Sequence, residues 1–293
     1  MARSRPARRR TAARRGSSST WPWWKTFPPG SARAEPPARR CGACLRRRTR
    51  GMRGLAQGRR TARFPRMQTT ASPETATRPM RVLRLGLLPY GDGLAFQEDL
   101  VRRRRAGEVP DTLLLLEHTH VITLGSGSHA ENVLVTPQER AARGIELFET
   151  GRGGDVTYHG PGQLVGYPIF DLKPDRQDLH RYLRDVEEAL IGVLSDFGLE
   201  GGRKEGLTGV WVGDRKIAAI GVRVSSGWIT SHGFALNVTT DLSFFGTIVP
   251  CGIRDHGVGS LSTETGREVP MAEVEASAVR WFARVFGRAP YED

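Results

Sequence analysis

The chain has 293 residues, 38% hydrophobic and 26% charged, a length and balance that suit one or two globular domains. No run of about 18 apolar residues occurs, which excludes a membrane-spanning helix. The formal charge of +13 is concentrated at one end: residues 1–79 carry 21 Lys/Arg against Glu35 and Glu74, whereas residues 80–293 hold 23 basic and 29 acidic side chains, so the body gives no reason to expect a nucleic-acid face.

Residues 1–79 hold nine of the 18 prolines and Arg-rich blocks such as Arg8-Arg9-Arg10 and Arg46-Arg47-Arg48. A segment of this composition buries too little apolar area to offset its ordering entropy, so it reads as a disordered tail. It contains no apolar stretch of a secretory signal. Its Arg- and Ser-rich, acid-poor character fits either an organelle transit peptide or upstream sequence read from an early start codon, with Met67 or Met80 as the alternative start. Cys41-Gly-Ala-Cys44 has redox or half-zinc spacing but no second pair nearby. With Cys251 the chain has three cysteines, too few for a disulfide framework, and a reducing cytoplasmic setting is expected.

Regular elements are expected from Val82 onward, in a single domain spanning 80–293. Val82–Leu88 reads as a strand and Gly93–Arg105 as an amphipathic helix with Leu94, Leu100 and Val101 inward. The apolar run Thr112–Glu117 predicts a central strand, followed by a strand at Val121–Leu124, a short helix at Pro137–Arg143 ending at Gly144, and strands at Ile145–Thr150 and Leu164–Phe170 around a glycine-rich loop. Leu179, Leu183, Val186, Leu190, Val193, Leu194 and Phe197 recur at steps of three and four, which predicts a helix over Asp178–Phe197 stopped by Gly198. Gly209–Val212 and Lys216–Val224 form a hairpin pattern about Gly213-Asp214; a strand at Ser231–Val238 and a helix at Met271–Phe286 follow. Hairpins mixed with separate helices argue for an α+β fold, a mixed sheet with flanking helices.

Three stretches carry residues that a core does not need. Arg152-Gly-Gly-Asp-Val-Thr-Tyr-His-Gly-Pro-Gly-Gln163 can turn sharply and approach a ligand, or be a tight surface loop; it lacks the spacing of a phosphate-binding or dinucleotide-binding loop. Lys216 opens an apolar strand in a chain whose 44 basic residues include only four lysines, at 25, 173, 204 and 216. Lys can lose its proton when desolvated and Arg effectively cannot, although a strand-end Lys can also simply snorkel. Cys251, between Pro250 and Gly252, sits on a constrained turn where a nucleophile is well presented; a thiol that titrates near 8.5 then needs a neighbouring cation. His159 and His232, each beside glycine in an apolar stretch, are candidates to line a site. His118, His120 and His129 lack the spacing of a metal centre, and no metal is expected.

These motifs resemble those of the lipoyl(octanoyl) transferases: Arg152–Gln163 followed by Leu164–Leu172, then Gly209-Val-Trp-Val with Lys216-Ile-Ala-Ala-Ile-Gly221, His232-Gly-Phe-Ala-Leu-Asn237, and Pro250-Cys-Gly-Ile253, in family order from Val82 to Phe286. A local departure is Ser126, where members often carry a basic residue. The resemblance implies the fold of biotin and lipoate ligases. It also implies octanoyl transfer from acyl carrier protein to a lysine of apo lipoyl domains, those of 2-oxoacid dehydrogenase complexes and glycine cleavage H protein, as a step of lipoate biosynthesis. Cys251 would accept the acyl group and Lys216 lower its pKa, with no cofactor required. The substrate-binding wall would comprise Arg152, Gly153, Gly154, Asp155, Val156, Thr157, Tyr158 and His159, with Ala219, Ile220, Gly221, Gly233, Phe234 and Ala235 as further lining. Two other functions stay open at this point: an ATP-dependent lipoate or biotin ligase of the same fold, which needs no thiol nucleophile, and RNA binding through the basic tail.

Overall fold

The computed structural model describes residues 77–249 and 256–292. The tail with Cys41 and Cys44, and the turn carrying Cys251, lie outside the described residues.

A mixed sheet forms the frame. Its path runs β12 (Arg288–Tyr291), β1 (Arg78–Leu88), β2 (Asp111–His118), β6 (Gln163–Ile169), β10 (Thr230–Asn237), β9 (Arg215–Val224), β8 (Leu207–Val212) and β7 (Gly202–Lys204), with β11 (Gly257–Val258) added beside β9. β1 is parallel to both β12 and β2, and the ladder from β2 through to β7 is antiparallel. The run Leu113–Leu116 is continuously apolar because both faces of β2 are covered. Leu113 and Leu115 join the cluster under the helices α3 (Leu179–Asp196) and α5 (Met271–Phe286), whereas Leu114 and Leu116 join the one that includes Leu100 of α1 (Tyr90–Arg105). The element types agree with the α+β expectation.

Local chemistry sets the ends. Asp178 caps α3 by accepting from the backbone N–H groups of His180 and Arg181. The Thr136–Glu139 capping box starts α2 (Pro137–Ala142), and α5 closes on Gly287 in the left-handed region. Leu179, the first residue in the predicted apolar periodicity of α3, is 42% exposed, because it stands in the opening turn before the helix meets the sheet. The first strand begins at Arg78 rather than Val82: Arg78–Arg81 pair with Arg288–Tyr291 of β12, a partner that local sequence cannot reveal.

A second, three-stranded sheet orders β4 (Glu146–Glu149), β3 (Val121–Leu124) and β5 (Thr157–His159), so part of the expected glycine-rich loop is a strand. β3 is parallel to β4 and antiparallel to β5. Ile122, Val156 and Tyr158 pack with Phe245 and Ile248, which belong to the 3-10 turn at 242–247 and its exit. Among the described residues no helix is long and apolar enough to cross a membrane.

Candidate active site

The slot opens where the small sheet faces β9 and β10. Its floor comes from two cross-strand pairs, Ala219 with Ala235 and Gly221 with Gly233. Four small residues in register leave a depression that larger side chains would fill. Tyr90, Thr157, His159, Tyr167 and His232 stand around it, and the space measures about 460 Å³ with its open mouth included. Toward the other end, Thr157, Ala219 and Ala235 also border a second space of about 310 Å³ that is lined by Lys216, Gln163, Asn237 and Val258. The two spaces therefore share three residues.

Loop 151–154 lies across the floor. The Gly153 N–H donates to the Val222 carbonyl at 3.0 Å, using a stretch of β9 that β8 does not reach. A Cβ on Gly221 would come within 2.9 Å of the Gly153 carbonyl oxygen and 3.1 Å of Arg152 Cδ, so only glycine lets the loop settle there. Arg152 is buried and forks onto β3: Nη2 donates to the Thr123 carbonyl at 2.6 Å and to its Oγ1 at 2.9 Å, and Nε reaches the same Oγ1 at 3.2 Å.

Period-two alternation in β5 sorts the expected wall. Thr157 and His159 face the slot, as do Arg152 and Gly154, and Ala219, Ile220, Gly221, Gly233, Phe234 and Ala235 also line it. Val156 and Tyr158 do not; they point into the core of the small sheet. Gly153 lends its backbone to β9, and Asp155 turns away to accept from Asn132 Nδ2 at 2.6 Å and the His129 N–H at 3.3 Å. Asp155 thus serves the loop 126–132, which also hydrogen-bonds through the Ser126 and Gly127 N–H groups to the carbonyls of Arg152 and Gly154.

Sequence reasoning omitted Tyr90 and Tyr167 from the wall, and Gln163 and Asn237 from the site. The last two form a directed chain. Gln163 Nε2 lies 3.2 Å from the Tyr158 carbonyl and 2.9 Å from Asn237 Oδ1, and Asn237 Nδ2 donates to the Gly259 carbonyl at 2.9 Å. Carbonyl acceptors fix both amides, so Gln163 Oε1 accepts from His159 Nδ1 at 2.8 Å and the His159 proton sits on Nδ1. Gly259 in turn donates its N–H to the Lys216 carbonyl at 3.0 Å. Three of these four polar residues fell inside the quoted motifs, but only their partners reveal what they do.

The imidazoles are held neutral. Burial above all pushes His159 down to about 3, helped by nearby His118, while its bond to Gln163 pulls the other way. Burial also takes His118 to about 4, and takes His232 to about 4 with help from Arg152 and Arg223. His118 donates from Nδ1 to the Leu88 carbonyl at 3.1 Å, which leaves Nε2 to accept from Tyr167 Oη at 2.8 Å. His120 instead bonds Tyr158 Oη at 2.7 Å and stacks on Phe244, so His118 and His120 serve different sites.

Lys216 is the second residue of β9 and is only 8% exposed. Its stem runs over Gly209, where a Cβ would lie 3.1 Å from Lys216 Cε and the backbone holds φ at +133°. Its Nζ stands 5.0 Å from the centroid of the Trp211 ring. β11 pairs Val258 with Lys216, which brings the chain seven residues after Cys251 alongside the lysine.

Comparison with known proteins follows the same lines. The lipoyl protein ligase A/B catalytic-domain family matches residues 89–283. An octanoyltransferase of Rubrobacter xylanophilus is 56% identical over 203 residues, covering 69% of this chain and 91% of that one. One of Chloroflexus aggregans is 49% identical over 215 residues, covering 73% and 97%. Among solved structures, lipoate-protein ligase A bound with ATP superposes with a TM-score of 0.63 at 23% identity, over 73% of this chain and 88% of that one, a likeness of fold.

Proposed function

The chain belongs to the octanoyltransferases within the lipoyl protein ligase A/B catalytic-domain family, and from that membership we propose that Cys251 carries the octanoyl group as a thioester, with Lys216 as the cation beside it. The activity is octanoyl transfer in protein lipoylation. The donor in this reading is octanoyl-acyl carrier protein. The acceptors are lysines of apo lipoyl domains, those of 2-oxoacid dehydrogenase complexes and of glycine cleavage H protein.

One observation supports this assignment of roles above the others. The buried lysine borders a space that shares Ala219 and Ala235 of the small-residue floor, and residue 258, close in sequence to Cys251, is paired with it. In the reaction, the Cys251 thiolate attacks the donor's thioester carbonyl. The carrier thiolate leaves and takes a proton, leaving octanoyl-Cys251. The uncharged amine of the acceptor lysine then attacks that carbonyl, the amide forms, the Cys251 sulfur departs, and the amine's surplus proton is released. A lysine ammonium favours thiolate over thiol at both stages, and it can deliver and retrieve a proton as Arg cannot. Exchange between thioesters is nearly isoenergetic and amide formation runs downhill, so no activating nucleotide enters. Apart from the Arg152 guanidinium, which is bound to Thr123, neutral imidazoles, phenols and small residues offer a largely uncharged slot to an uncharged acyl chain. This wall (Arg152, Gly154, Thr157 and His159 with the Ala219–Gly221 and Gly233–Ala235 lining) is the proposed acyl site.

An ATP-dependent ligase shares the fold, but the ligase superposed here is 23% identical whereas the octanoyltransferases reach 49–56%. Intact-mass analysis decides the chemistry. With octanoyl-carrier protein and no acceptor, the protein should gain one octanoyl mass that is labile to hydroxylamine and discharged by an apo lipoyl domain. Cys251→Ser should lower turnover by orders of magnitude, and both Lys216→Arg and Lys216→Ala should lose most transfer. An adduct mapped to another residue, or full activity in Cys251→Ser, would leave direct aminolysis in a ternary complex as the mechanism.

A further inference from the structure

The strand beside the β8–β9 hairpin that presents Lys216 carries a second lysine that the transfer chemistry does not use. Trp211 of β8 lies directly across from Lys216 in the ladder and is buried. Lys204, at the end of β7, also places its Nζ 5.0 Å from the centroid of the Trp211 ring. Two of the chain's four lysines therefore share one indole, each inside the roughly 6 Å at which an ammonium is attracted to a ring face. Lys204 is also held from its other side: it donates to Asp214 Oδ1 at 2.5 Å and to His256 Nδ1 at 3.4 Å, and the His256 ring meets Trp211 edge-on at 5.3 Å.

We infer that Trp211 is a positioning residue for the transfer, holding the Lys216 ammonium in place and in its charged form, and that Lys204 opposes that charge from the same ring. The inference rests on the reading of Lys216 as the functional cation. A long lysine side chain loses rotamer freedom when it is fixed, and here the ring and the flat surface of Gly209 confine it. The ring's negative face favours the protonated amine, whereas a second cation nearby disfavours it.

Other charges surround the pair. Arg215, beside Lys216 on β9, is bound by Glu264 of α4 (Leu261–Thr265). Glu187 of α3 accepts from the Gly209 N–H under the lysine stem and from Arg184 and Arg203. Asp214 and His256 stand on the Lys204 side. Thr157, Gln163 and Asn237, facing Lys216 across the slot, are uncharged.

The full chain labelled with 13C at lysine Cε supplies four signals that report ring proximity and protonation without reference to catalysis. The Lys204 and Lys216 signals should be displaced upfield by the indole ring current, and Lys204→Met identifies one of them by its loss. In Trp211→Leu the remaining displacement should vanish and the Lys216 midpoint should fall by about half a pH unit or more, while Trp211→Phe keeps most of both effects. In Lys204→Met the Lys216 midpoint should rise, and the alkaline limb of the transfer rate should move with it in each variant. A midpoint unmoved in Trp211→Leu, or one that stays or falls in Lys204→Met, overturns the inference; Lys204→Met decides alone if Trp211→Leu fails to fold. Lys216→Ala separates the layers. If it transfers normally, the role of Lys216 fails and the inference with it. If it is inactive while the midpoints stay fixed, only the positioning role of Trp211 fails.

Discussion

Two imidazoles and two phenols line the slot, His118 is hydrogen-bonded to one of those phenols, Tyr167, and burial keeps all five groups uncharged near neutral pH. Each histidine is pushed from its ordinary 6.5 to about 3 or 4 in the folded chain. The unfolded chain therefore binds protons that the folded chain refuses, and stability should fall as pH drops from about 6.5 toward 4. Within that window each histidine contributes a slope of about 1.4 kcal/mol per pH unit. Denaturant unfolding at pH 7.0 and 5.0 measures it, and His159→Gln should flatten the dependence; equal stability at the two pH values would mean the imidazoles protonate in place. The sequence marked His159 and His232 by their glycine neighbours but could not give their charge state, which depends on strands brought in from elsewhere. Tyr90 carried no signal at all, being simply the first residue of a helix. It stacks near His159 only because α1 crosses the sheet.

At the scale of elements, long periodic segments were legible and short ones were not. α5 matches its expected bounds, and β9 begins one residue before Lys216. β5, β7 and β12 span three or four residues each, too few for a period to show; β5 and β12 exist through partners distant in sequence, and β7 through the neighbouring β8. That loss mattered most at β5, whose alternation divides slot residues from core residues. The β9–β10 ladder makes the element-scale prediction. Ala219 and Ala235 face each other on the floor and border both spaces. Ala219→Val adds two methyl groups there and suits a strand, so the fold should tolerate it. Octanoyl transfer should drop about tenfold or more, with a butanoyl donor much less affected, since steric discrimination by a few carbons in an apolar slot is worth ~1–3 kcal/mol. Equal losses for both donors would place the acyl chain elsewhere.

For the molecule as a whole, the informative question is where the fold begins. Composition placed the boundary at 79/80, and all the quoted motifs lie beyond it. The described structure adds contacts on the near side of that line. Arg78 pairs with Arg288 in the ladder, reaches the buried carboxylate of Asp111 at 3.4 Å and donates to the Lys173 carbonyl at 2.7 Å. Asp111 also binds Arg104 of α1 and Arg288 of β12, each at 2.8 Å, so this cluster ties three elements to the end of β2. Met80 is fully buried in the main core. A chain starting at Met80 would place a charged amino group against that core and lose Arg78, and burying an unpaired charge is costly. Starting at Met67 keeps both residues in place. We therefore predict that the chain from Met67 matches full length in melting temperature and octanoyl transfer, whereas the chain from Met80 melts several degrees lower, a loss of about 1 kcal/mol or more, with transfer per folded molecule retained because the slot is formed by later elements. Calorimetry and transfer assays on the three chains measure this directly. A Met67 chain that is inactive or unstable would show that residues 1–66 contribute to the fold, and a Met80 chain as stable as full length would show that the Arg78 contacts add nothing.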